Sequence, residues 1–101
     1  MNTHRISVAV DKDGIKVTPE TLIMTSLDHV HWGCDTSHRF SIEFDGATPF
    51  ERPKLSHDHA NTKQRPNSHG QFKYTVVLES DPSVRLDPII IVEQPPSRPG
   101  P

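Results

Sequence analysis

The chain has 101 residues, 11 Lys and Arg, 13 Asp and Glu and 7 His, which gives a formal charge of -2 with neutral histidines. That length holds one domain, and a charge so near zero argues against a dedicated nucleic-acid binder. No apolar run approaches the roughly 18 residues of a membrane span, and Met1 to Val10 lacks the long apolar stretch of a secretory signal.

Leu, Ile, Val and Phe number 24, enough for a small core despite 10 prolines. Of these, 22 fall within 6–44 and 72–92. One core-forming domain over 1–93 is expected, interrupted by a polar insertion at 45–71 and followed by a Pro-rich tail at 94–101. The tail has no core residue and is expected to be disordered or extended. Cys34 is the single cysteine, so no disulfide closes within the chain. A lone thiol suits a reducing compartment, and a cytoplasmic location is expected.

Along the chain the dominant period is two. Ile6, Val8 and Val10 alternate with Ser7 and Ala9, Asp13-Gly14 marks a tight turn, and Ile15 and Val17 resume the pattern. Leu22 to Met24 is a short apolar run flanked by Thr21 and Thr25. Leu27-Asp28 reads as a turn, after which Val30 and Trp32 share one strand face and His29 and His31 the other. Phe40, Ile42 and Phe44 alternate with Arg39, Ser41 and Glu43, a strand with a polar face. Phe72, Tyr74, Val76 and Leu78 form another apolar face, and Asp81-Pro82-Ser83 reads as a turn. The run Ile89 to Val92 is apolar on both faces and belongs in a central or covered strand. The insertion is too long for an ordinary connection and has room for a short helix or an edge strand. The pattern predicts an all-β fold: a two-sheet antiparallel Greek-key β-sandwich of about seven strands with a long polar loop. Its buried set would include Val30, Trp32, Phe40, Ile42, Phe44, Phe72, Tyr74, Val76 and Ile91.

The order of the motifs resembles the cupredoxin family. Val17-Thr18-Pro19-Glu20-Thr21-Leu22 is similar to a strand entry of that family, and Leu27-Asp28-His29-Val30-His31-Trp32 to its "G-D-x-V-x-W" segment. His38-Arg39-Phe40-Ser41-Ile42 resembles the strand that carries the first copper histidine. Gly70-Gln71-Phe72-Lys73-Tyr74-Thr75-Val76 resembles the approach to the copper cysteine, and Asp87-Pro88-Ile89-Ile90-Ile91-Val92 the closing strand. The likeness implies a cupredoxin-like sandwich over about residues 5–93 and a first ligand position at His38. It also places Val76 where the family has cysteine and Glu79 near its downstream histidine, and no methionine follows Met24. A type 1 site needs two His, a Cys and a weak axial ligand. The expectation is therefore a relative without the type 1 copper ligands, and with no electron transfer. The side of the strand that His38 shares with Phe40 predicts a partly buried ring.

Other residue sets carry a chemical reading beside a plainer one. His57 and His59, spaced i and i+2, would face one ion from a strand, with His38 and His69 joining if the insertion folds back. Such a set suits Cu, Ni or Zn. The alternative, a solvated loop, is preferred because two loop histidines lose entropy before they bind, so no cofactor is expected. His29 and His31 share the i and i+2 spacing on the outer strand face and could chelate weakly, but the plainer expectation is that both rings cover sheet surface or pack at an interface. Cys34 and His38 lack the assured contact that a catalytic thiol and its base require, so no enzyme is expected. Glu43, Asp45, Glu79 and Asp81 read as edge charges. Arg52, Lys54, Lys63 and Arg65 are interleaved with Glu51 and Asp58, a solvated face. The sequence reads as a non-enzymatic binding or structural module, with a homo-oligomer or protein partner held through sheet edges and with no nucleic-acid or membrane partner.

Overall fold

Alternating apolar side chains build nine strands and one short helix in the computed structural model, which describes residues 2–34 and 38–94. The strands are β1 (Thr3–Asp11), β2 (Gly14–Thr18), β3 (Thr21–Thr25), β4 (His29–Cys34) and β5 (Phe40–Phe44). They continue with β6 (Lys54–Leu55), helix α1 (His57–Ala60), β7 (Gly70–Leu78), β8 (Asp81–Leu86) and β9 (Ile89–Glu93). All but one residue of the proline-rich tail, and Asp35 to Ser37, lie outside the described residues, so the expectation for the tail is not addressed.

One sheet has the order β2-β1-β4 and the other β3-β9-β7-β5-β6, with β8 also paired to β7. The nine-residue β7 is the spine of the second sheet. Its first half pairs with β9 and its second half with β5 and β8. Both sheets are mixed rather than purely antiparallel, because β1 runs parallel to β4 and β3 parallel to β9. The cause is topological. The chain leaves the first sheet after β2, starts the second with β3, and must cross back for β4. The β1–β2 hairpin turns through Gly14, whose φ of 120° suits a residue without Cβ.

The two inner faces meet over Ile6, Val8, Trp32, Phe40, Ile42, Tyr74, Val76 and Ile90, each 0% exposed. The expected buried set is buried except for Ile91, which is half-buried. β9 is central, as its composition requires, yet Ile90 and Val92 take the inner face while Ile89 and Ile91 face outward. One turn reading and one face reading also shift. Asp81-Pro82-Ser83 belongs to β8, where the Asp81 carboxylate accepts from both the amide and the hydroxyl of Ser83, and the reversal occurs at Glu79-Ser80. Ser41, read as part of a polar face, is buried.

The insertion contains both an edge strand and a helix, β6 and α1. Ser56 caps α1 by accepting from the His59 amide. Pro49, Phe50, Leu55, Ala60 and Pro66 are its buried anchors. Phe50 lies edge-on to Trp32 and Phe44, with ring centroids 6.1 and 5.6 Å away. Farther along, Gln64 exchanges backbone hydrogen bonds of 2.7 and 2.9 Å with Val30 and so covers the free side of β4.

Candidate functional site

The sheet end that carries His38 also carries the turn after β7, because β5 and β7 pair antiparallel with Phe40 opposite Leu78. The Glu79 amide donates to the Arg39 carbonyl at 3.0 Å. A cleft of about 460 Å³ opens there, lined by His38, Arg39, Glu79 and Ser80. Arg39 organises its charge. Its Nε donates to Glu79 Oε2 at 3.0 Å and its Nη2 to Asp58 Oδ2 at 3.5 Å. Its hydrogen bonds to the Glu79 and Asp58 carboxylates favour the guanidinium and raise its pKa.

His38 is exposed, which corrects the expectation of a partly buried ring. β5 begins only at Phe40, so the alternation that would have turned His38 inward stops two residues short of it.

The remaining histidines separate. His57 opens α1, and its Nδ1 accepts the Phe40 amide at 3.3 Å while its ring stands edge-on to Phe40 with centroids 4.9 Å apart. It is half-buried and structural, not a solvated loop residue. His59 is exposed, with Nδ1 3.2 Å from Ser56 Oγ and 3.5 Å from Arg52 Nη1. A helix places residues i and i+2 on different faces, so the strand argument for joint ligation by His57 and His59 does not hold. His69 is exposed immediately before β7. Among the described residues, no three His, Cys, Asp or Glu side chains group so as to hold a metal ion.

Val76 is fully buried in the middle of β7, opposite Ile42 on one side and Leu86 on the other. Met24 is buried on β3, and Cys34 ends β4 in the other sheet, opposite Val8.

A polar group that the sequence reading assigned only to a turn, Asp28, is 6% exposed. Its carboxylate accepts from His4 Nε2 at 3.0 Å and from the amides of Asn2 and Thr25 at 3.1 Å each. Burial by itself would raise the Asp28 pKa. The hydrogen bonds from His4, Thr25 and Asn2 outweigh it and hold the group at about 2, below its ordinary 3.8. One signal for this role was present in the sequence: an acidic residue directly after a strand and its turn can bond back to strand amides.

No family model and no curated protein matches the sequence. Among solved structures, the chain is similar to a pseudoazurin from Sinorhizobium meliloti, with a TM-score of 0.64 and 15% identity over 94% of this chain and 76% of that one. At that identity the likeness shows the fold alone, and the fold is a cupredoxin-like β-sandwich.

Proposed function

We propose that the chain is a non-enzymatic, cytoplasmic binding or structural module on a cupredoxin-like sandwich, without a blue-copper centre. One observation carries this reading. Val76, at the position that resembles the family's copper cysteine, is a fully buried hydrocarbon that offers no lone pair. The neighbouring positions agree with it. Glu79, near the expected downstream histidine, is engaged by Arg39, and Cys34 lies on a strand of the opposite sheet. His38 alone keeps a matching donor, and the set does not fit a His₂Cys site. The module's contacts are proposed to run through its sheet edges, to a second copy or another protein. In support, β3 ends its sheet with a strand partner on one side only among the described residues, and Ile23 there is 57% exposed.

The test is Cu(II) titration of untagged protein. No intense thiolate-to-copper band at about 600 nm is expected. A strong band that vanishes in Cys34→Ser would overturn the reading by making Cys34 a ligand. A stoichiometric Zn(II)- or Cu(II)-dependent rise in Tm that is lost in His57→Ala or His59→Ala would replace it with histidine-based metal binding.

A further inference from the structure

The outer face of the second sheet holds a cleft of about 390 Å³ between edge strands β6 and β8, which meets the His38 cleft at Glu79. Register alone builds its floor. Ser41 on β5 lies opposite Val77 on β7, and Val77 opposite Arg85 on β8, so the three form one row across the sheet. Both Ser41 and Val77 face away from the core, yet they are only 9% and 5% exposed. Ser41 lines the cleft, and its hydroxyl makes no hydrogen bond to any described residue; among those residues no unpartnered polar side-chain atom is shut off from solvent, so this hydroxyl is open to whatever enters the cleft.

The charges around the cleft are unequal in a specific way. Glu43 is answered by Lys54 at 3.8 Å and Glu79 by Arg39 at 3.0 Å. Arg85 has no acidic partner among the described residues. Its Nε and Nη2 instead donate to the Pro82 carbonyl at 3.2 and 2.9 Å, which fixes the guanidinium at the cleft wall and leaves Nη1 and further N–H groups for a ligand. The site thus combines one cation without an acidic partner among the described residues, one accessible hydroxyl on a largely buried residue, and apolar surface from Val77 and Pro82.

We propose that this cleft binds an organic monocarboxylate, with the carboxylate taken by Arg85 and the Ser41 hydroxyl and its apolar part lying on Val77 and Pro82. A guanidinium matches a carboxylate in geometry as well as charge, and a few placed polar groups over an apolar floor are the usual make-up of a small-ligand site. The same chemistry is offered by a small free acid and by the C-terminus of a peptide. The proposal goes beyond the module reading and does not depend on the state of the copper-site positions.

The experiment is an amide NMR titration of the intact protein with benzoate, with benzamide as the neutral isostere. Saturable shifts confined to the amides of Ser41, Val77 and Arg85 and their neighbours are expected with benzoate and not with benzamide. Arg85→Gln should weaken binding by about tenfold or more and Ser41→Ala by several-fold, with both variants shown folded by far-UV circular dichroism. Substituting an N-acetylated tripeptide with a free C-terminus distinguishes the two sources, since tighter binding than benzoate assigns a peptide and weaker binding a small acid. No saturable shift with either probe up to about 50 mM overturns the proposal, because even a millimolar site would then be filled. So does equal binding of benzamide, or binding that Arg85→Gln leaves unchanged.

Discussion

At the scale of single residues, Asp28 is the most consequential polar group. It holds the N-terminal strand, the end of β3 and the start of β4 together through three bonds to one carboxylate. Its folded pKa lies below its unfolded value, so the unfolded chain takes up the proton more readily. The stabilisation is therefore complete above about pH 4 and is lost as pH falls through about 2. A fall in Tm across that window is expected, and Asp28→Asn should flatten it. Asp28→Ala should cost about 2–4 kcal/mol in urea unfolding, because buried donors lose a charged acceptor. His57 and His59 provide a second test within the single turn of α1. His57→Ala should lose about 1–2 kcal/mol with its bond to the Phe40 amide and its ring contact, and His59→Ala less than about 0.5 kcal/mol. Equal losses in thermal melts would contradict the assignment of His57 as structural.

At the scale of elements, the insertion is attached by Phe50 rather than by its helix. Four residues of α1 cannot sustain themselves, whereas Phe50 is 3% exposed between Trp32 and Phe44. Phe50→Ala should destabilise by about 3–5 kcal/mol, and Phe50→Leu by less. Hydrogen exchange should then quicken first at Gln64 and Val30, whose bridge is the insertion's other tie. The edge of β3 illustrates a different kind of control. The Thr25 amide is taken by Asp28 Oδ2 and its carbonyl by the Asp28 amide, so the C-terminal end of that edge is already occupied.

At the scale of the molecule, one aromatic cluster joins both sheets and the insertion. Trp32 Nε1 donates to the Tyr74 hydroxyl at 3.3 Å, and Tyr74 in turn packs 5.4 Å from Phe44. Burial pushes the Tyr74 phenol strongly up, which keeps it neutral across any ordinary pH range. Because the cluster spans every layer, the sandwich and insertion should unfold as one unit. Near-UV signals from Trp32 and far-UV signals from the strands should have coincident urea midpoints. Separated midpoints would mean that the insertion opens on its own.

Much of this was already present in the order of residues. Alternation at Ile6 to Val10, Phe40 to Phe44 and Phe72 to Leu78 determined strand positions and inward faces, since a side chain's face follows from parity once a strand exists. The same arithmetic failed at His38, because parity has no meaning where the strand has not begun. At His57 and His59 the same-face spacing, which applies only to a strand, lapses because a local cap at Ser56 starts a helix where a solvated loop is the expectation. Ser41 was assigned correctly to the outer face, but only the packing of β6 and β8 around that face encloses it. The parallel pairings, the covering of β4 by Gln64, the three bonds at Asp28 and the cleft at Arg85 all join residues from different strands or well-separated parts of the chain. Local pattern carries which way a residue points; which distant residue it meets is decided only when two sheets and an insertion close on one core.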